Sequence, residues 1–492
     1  MKRKSAVIGS GIGGISMAIR LRKLGFEVDL YEKNNEIGGK IGEINESGFR
    51  FDTGPSLFTL PELVDELFEL MGEEDKLKYK KLEIVCQYFW DDGTIVNSFS
   101  DAEKFAAELS EKLGENKNNT LGFLKDVADL YDISADVFIF SSLHKMSTWT
   151  NPELRTKLPQ AKKLKPYKSM YKSLKENFDN QKTIQLFSRY ATYNGSNPYK
   201  APSTLNVIAH LEHNIGAFFP KYGMRNIVEK LVELLEKSGV NIILNTLVEK
   251  INFENKTAKS ILANGKEIDY DLIISDVDVN YLYRNMLPDI STPRKIKNVK
   301  LSSSALIFYW GVNKTFSQLQ LHNILFSNNY RREFECLFDE KIIYEDPTVY
   351  IFISKKIIET DAPKGMENWF VMINSPADKG QIQESDIQKA RENVVNKINK
   401  TLNVDIEKHI DFEKIRTPKS IEKQTTSFAG ALYGANSNSI FSAFNRHANF
   451  LRKLKNIYFV GGSVHPGGGI PLCIASSKIT ESIIKNDFGI SD

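Results

Sequence analysis

Ser5-Ala-Val-Ile-Gly9-Ser-Gly11-Ile-Gly13-Gly14, with Glu27-Val-Asp-Leu-Tyr-Glu32 soon after it, is the stretch whose reading decides the fold. The first part reads as a short buried strand running into a glycine turn. A helix carrying Ile15, Ala18, Ile19 and Leu21 then runs to Gly25, and residues 27–32 return as a second strand. Within this βαβ unit each glycine has a mechanical task. Gly9 permits the tight turn, Gly11 lets the backbone approach a pyrophosphate, and Gly14 lets helix and strand pack closely; the helix N-terminus, with Gly13 in its first turn, then faces the phosphates. Glu32 stands about twenty residues further on, where a carboxylate accepts ribose hydroxyls and repels a 2′-phosphate. The competing reading, a glycine turn without a ligand, leaves Glu32 unexplained.

Two further segments separate FAD from NAD. Asn35-Glu-Ile-Gly38-Gly39-Lys40 and Gly48-Phe-Arg-Phe-Asp52-Thr-Gly54-Pro55-Ser56 supply backbone contacts beyond the first phosphate, which a long cofactor needs. The far end of the chain adds Phe459-Val-Gly461-Gly462-Ser-Val-His465-Pro466-Gly467-Gly468-Gly469-Ile470-Pro471, a strand entering a glycine-rich turn and then a helix. Its peptide N–H groups and helix dipole suit an anionic ring or phosphate. A turn that only closes the sheet is the alternative. On the first reading both chain ends build one FAD site.

The remaining composition sets bounds. With 492 residues, 41% of them hydrophobic, the chain exceeds one compact domain. A net charge of +3 implies no nucleic-acid partner. The three cysteines, Cys86, Cys336 and Cys473, lie far apart, which excludes a disulfide scaffold or zinc knuckle and fits a reducing interior, and the seven histidines show no metal-site spacing. No apolar run approaches the roughly 18 residues of a spanning helix. The first residues read as mature protein, because glycines interrupt their apolar run. Helical patterning dominates 120–215. Strand signals gather at 240–244, 271–276, 303–312, 348–375 and 457–460, and helices are expected at 61–71, 385–400 and about 472–485.

These residues resemble the bacterial-type carotenoid desaturases, phytoene desaturase-like members of the flavin amine-oxidase-like superfamily. The resemblance covers nearly the whole chain. It rests on the opening glycine turn with Glu32, on Gly38-Gly39-Lys40, on Phe51-Asp52-Thr-Gly54-Pro55, on Pro220-Lys-Tyr-Gly223-Met224, on Ser275-Asp276 and on His465-Pro466-Gly467-Gly468-Gly469-Ile-Pro471. It implies an α/β architecture: a Rossmann-type FAD-binding domain, an inserted mixed-sheet substrate domain and a helical membrane-facing region. The expected division is FAD-binding 1–75, substrate 76–119, helical lid 120–215, FAD-binding 216–285, substrate 286–445 and FAD-binding 446–492. FAD is expected on Gly9, Gly11, Gly13, Gly14, Glu32, Lys33, Gly39, Lys40, Gly54, Pro55, Ser56, Val248, Asp276, Gly461, Gly462, Gly469, Ile470 and Pro471. Cys473 is expected to be packing and not a covalent flavin link.

Ser463-Val464-His465-Pro-Gly-Gly468-Gly-Ile-Pro471-Leu472 departs from the phytoene desaturase pattern and looks more like desaturases that oxidise hydroxylated carotenoids at the 3,4 position. The resemblance therefore implies hydride transfer from an acyclic, 1-hydroxylated carotenoid end to flavin, with oxygen or a quinone as final electron acceptor. A phytoene desaturase, a carotenoid isomerase and a non-enzymatic prenyl-binding escort protein are the alternatives. His465 is the candidate proton base, or else a structural hydrogen bonder; Tyr193 and Asn194 are expected at the substrate channel or in a loop cap. Between 155 and 175 stand Arg155, Lys157, Lys162, Lys163, Lys165, Lys168, Lys172 and Lys175, with Tyr167, Met170 and Tyr171 among them and no acidic residue. This mixture reads as an interfacial segment, with Lys162, Lys163, Lys165 and Lys168 at its centre, or as a solvated helix face. The location implied is cytoplasmic, peripheral on the inner face of the membrane.

Overall fold

The computed structural model describes residues 3–152 and 166–490. β1 (Lys4–Ile8), α1 (Ile12–Lys23) and β2 (Glu27–Tyr31) form the βαβ unit, and Gly25 turns the chain after α1 with φ 86°. β1 is the centre of a five-stranded parallel sheet ordered Ile457–Phe459, Leu272–Ser275, β1, β2, Asn241–Ile243. The chain winds outward in opposite directions on the two sides of β1. A crevice therefore opens at the carboxyl ends of the central strands, where α/β sheets take ligands.

α1 is buried from Ile12 through Leu21. It lies on the sheet and against helices Arg225–Ser238 and Ile470–Phe488, so it needs apolar residues all round. The charge in this stretch, Arg20, is 1% exposed and ties three helices: Nη1 lies 2.8 Å from Glu481 and Nη2 3.2 Å from Glu66. The last helix starts at Ile470, earlier than the expected 472, because Pro471 fits the first helical turn, where its missing N–H is no loss.

A seven-stranded mixed sheet lies above the crevice, ordered Ile410–Arg416, Ser304–Val312, Glu367–Ser375, Val349–Phe352, His322–Leu325, Ile84–Phe89, Ile95–Phe99. Its two faces follow from the period of two. Leu306, Phe308, Trp310, Trp369, Val371 and Ile351 pack under helix Glu384–Leu402. The alternate residues Ala305, Ile307, Phe370, Met372, Tyr350 and Ile324 face the other way and line a cavity. Helices Ala102–Leu113, Lys117–Phe138, Met170–Asn177 and Gln181–Ser188 close the third side around Phe105, Phe123 and Phe187. Among the described residues no helix is long and apolar enough to cross a membrane.

Candidate functional site

One cavity of about 870 Å³ joins the crevice, the inner face of the mixed sheet and the helical block. At the crevice the structure brings Gly9, Gly11, Gly13, Glu32, Lys33, Gly39, Lys40, Gly54, Pro55, Ser56, Val248, Asp276, Gly462, Gly469, Ile470 and Pro471 onto one wall. Gly14 and Gly461 stand just behind it. A Cβ on Gly14 would run into the Gly9 carbonyl oxygen, and one on Gly13 would lie 2.7 Å from the Gly461 Cα. A Cβ on Gly39 would lie 3.1 Å from the Gly11 Cα. Glycine turns from three distant parts of the chain thus meet backbone to backbone, leaving bare peptide edges at the α1 N-terminus. Such a cradle fits an extended, doubly phosphorylated cofactor.

Charge in the cradle fits as well. Glu32 Oε2 accepts from the Ser10 N–H at 3.1 Å and the Ser10 hydroxyl at 2.5 Å, and Oε1 from the Asn34 N–H at 2.9 Å and Nδ2 at 2.8 Å. Asp276 ends its strand with the carboxylate lodged in the space that side chains at Gly11 and Gly13 would fill. Burial pushes its carboxyl up to about 7, against hydrogen bonds from the Gly14 and Gly11 N–H groups and the Lys40 ammonium. Lys40 is half-buried, donates to the Leu432 carbonyl at 2.7 Å, and has its pKa lowered by desolvation against the attraction of Asp278 and Asp276. Cys473 also lines the cavity, and burial pushes its thiol up to about 12, so it stays a thiol.

His465 does not face the cavity. Its ring is fully buried, Nε2 lies 2.8 Å from the Ser141 carbonyl and the ring meets His144 edge-on. Burial lowers its pKa to about 4. Of the two roles expected of His465, this placement favours the structural hydrogen bonder: the neighbouring Ser463 and Pro466 reach the cavity wall while the imidazole turns toward Ser141 and His144.

Tyr193 and Asn194 do line the far part of the cavity, carried by the turn Arg189–Asn194. The buried Arg189 that anchors this turn escapes a reading by motif. It donates Nε to the Tyr88 hydroxyl at 2.6 Å, Nη1 to the Tyr193 hydroxyl at 2.9 Å and Nη2 to Glu212 at 3.0 Å, and Tyr193 also donates to Glu212. Burial raises the Tyr193 pKa well above the ordinary phenol value. Facing this turn, His322 and Tyr350 are polar residues on a sheet face that is mainly apolar, with Asn374 and Arg416 among its other polar members; their strands alone would not single them out. Lys162, Lys163 and Lys165 lie outside the described residues. Lys168 is paired with Glu176 at 2.7 Å, an acid just past the basic stretch. Among the described residues no cluster of potential metal ligands occurs.

Residues 12–480 match the profile of the family described as flavin containing amine oxidoreductase. The chain is 46% identical over 488 residues to a 1-hydroxycarotenoid 3,4-desaturase of Flavobacterium sp. (strain P99-3), with 98% of this chain and 99% of the relative covered. It is 29% identical over 521 residues to a phytoene desaturase of Fusarium fujikuroi, covering 100% of this chain and 91% of that one. A solved putrescine oxidase bound to putrescine shares the fold, with a TM-score of 0.62, 14% identity and 99% of each chain covered.

Proposed function

The chain belongs to the flavin-containing amine oxidoreductase family, and from that premise we propose that it is an FAD-dependent carotenoid desaturase acting on a CH–CH bond, introducing a C=C bond at the 3,4 position of an acyclic, 1-hydroxylated carotenoid end. The observation that carries this reading is the 46% identity to a 1-hydroxycarotenoid 3,4-desaturase across essentially the whole of both chains. Bound FAD supplies the hydride acceptor, and oxygen or a quinone takes the electrons onward. The chain's own residues supply the setting. Glycine backbones at 9–14, 38–39 and 461–469 hold the cofactor, Glu32 takes the ribose and Lys40 supplies a half-buried cation. Ile307, Phe370 and Met372 exclude water and hold the polyene in line with the reacting position. The proposed organisation keeps three FAD-binding segments, 1–75, 216–285 and 446–492, interrupted by the substrate segments and the helical lid.

The test is product analysis. Purified holoprotein is incubated with a 1-hydroxylated acyclic carotene and, separately, with phytoene, and products are separated by chromatography. One further conjugated double bond in the hydroxylated substrate and unchanged phytoene are expected; conversion of phytoene alone would replace this reading with a phytoene desaturase.

The proposal includes docking on the bilayer that holds the substrate. Ile440, Phe441 and Phe444 line the cavity and are exposed, Phe441 by 60%, and Tyr167 and Met146 are more than 70% exposed. An oily rim on the cavity suits the acyl region of a leaflet, and the basic sequence between 155 and 175 would add about 1 kcal/mol per group on an anionic surface. Phe441→Asp, and separately neutralisation of Lys162, Lys163, Lys165 and Lys168, is expected to weaken sedimentation with anionic liposomes at unchanged flavin content. Undiminished sedimentation of both variants would remove the docking surface.

A further inference from the structure

His322 sits on the inner face of the mixed sheet between apolar neighbours, 2% exposed, and lines the cavity. Its Nδ1 lies 2.7 Å from the Tyr350 hydroxyl, which lies 2.5 Å from the Ser56 Oγ. Its Nε2 is buried and has no hydrogen-bond partner among the described residues. What sets it apart from the other unpartnered buried atoms is its place on the wall of a mainly apolar cavity, where a polar group on a ligand would satisfy it. Resting on the reading above, we infer that His322 Nε2 binds the hydroxyl of the carotenoid end and so sets which carbon–carbon bond meets the cofactor.

The chemistry favours a hydroxyl over other polar ends. Burial holds the imidazole neutral, its pKa lowered to about 3, so the ring carries one N–H. If the chain of donors runs from Ser56 through Tyr350 to Nδ1, Nε2 is a donor; if it runs the other way, Nε2 is an acceptor. A hydroxyl satisfies either arrangement, whereas a carbonyl satisfies only the first. A cationic end would meet the buried Arg189 on the opposing wall, and a carboxylate would have to be desolvated against Ile324, Phe370 and Met372. Position agrees with chemistry. Ser56 belongs to the segment expected against the cofactor, so the anchor is two hydrogen bonds from it, and in a 1-hydroxylated end the oxygen-bearing carbon is next but one to C3. On this inference the C3–C4 bond is presented toward the Ser56 segment and the hydrocarbon tail extends toward Phe441, which also lines the cavity. His322 is thus a positioning and specificity residue.

The test uses full-length, FAD-loaded protein with the flavin reduced beforehand, so that substrate binds without turnover. Dissociation constants are measured by protein fluorescence quenching for two acyclic carotenes differing only in the 1-hydroxyl. Wild type is expected to bind the hydroxylated compound about tenfold to a hundredfold more tightly. His322→Phe is expected to bind both at the weaker value, and His322→Gln, which keeps a hydrogen-bonding tip, to recover part of the preference. If His322→Phe does not retain flavin, Tyr350→Phe carries the same expectation of a reduced preference. Equal binding of the two compounds by wild type, an undiminished preference in the variants, or equal weakening toward both compounds would each overturn the inference. Product formation with oxidised flavin is read separately. A wild type that forms no new double bond yet keeps the binding preference sinks the desaturase reading and not the anchor.

Discussion

At His465 the structure separates two roles that its neighbours in sequence make look alike. The ring is enclosed and its Nε2 faces the Ser141 carbonyl, 324 residues away along the chain. His465→Gln is expected to lower stability by about 1–3 kcal/mol through the buried carbonyl it disturbs, and to leave the pH dependence of turnover unaltered. Thermal melts and a pH–rate profile check both, and a large loss of turnover without loss of stability would restore the catalytic reading. The difference lies in what each residue answers to. Gly9, Gly13 and Gly14 are legible because backbone geometry demands them locally. The direction of the His465 ring depends on a distant helical block, and no local pattern encodes it. His322 is harder still, since its partner is chosen by strand register, with Ile324 opposite Tyr350.

Among elements, α1 depends most on its surroundings. Its apolar residues and glycine start announce a buried helix, but nothing local says that Arg20 is satisfied by Glu481 and Glu66 on two other helices. Removing one partner of a buried pair leaves the other charge uncompensated. Arg20→Met is expected to cost about 3 kcal/mol, at the low end because Lys485 still stands 3.4 Å from Glu481. Urea denaturation checks it, and adding Glu481→Leu is expected to recover part of the loss. Of the mixed sheet, the strands within 303–312 and 348–375 are legible as apolar runs, whereas Ile84–Phe89, Ile95–Phe99, His322–Leu325 and Ile410–Arg416 are not. Their alternation predicts two faces, and only the packed helix Glu384–Leu402 tells which face is core and which is cavity wall.

For the whole molecule, buried titratable groups set the response to pH. Burial lowers His213, His447 and His465 to about 4 and His322 to about 3. Below the ordinary histidine value of about 6.5 the unfolded chain binds protons that the folded one refuses, so stability is lost as pH falls from there toward 4. Asp276 and Glu333, both raised to about 7, act oppositely: the folded state keeps protons the unfolded one has shed, and stability declines as pH rises toward 7. His144 and His210 are lowered by burial as well, and Asp278 and Asp361 raised, so six histidines stand against four carboxyls. The melting temperature of the apoprotein is expected to rise from pH 4 to about 6.5 and then to dip slightly. Asp276→Asn is expected to shrink the dip, and a melting temperature falling steadily across the acid range would contradict the assignment. The sequence could show that both ends of the chain contribute to one cradle, because each carries its own glycine turn; it could not show how they are knit, with Ile457–Phe459 at one edge of the sheet and the last helix pressed on α1. That knitting has a consequence for truncation. A chain shortened before Ile457 would lack the closing turn and leave one flank of α1 bare, so it is expected to purify colourless and to aggregate.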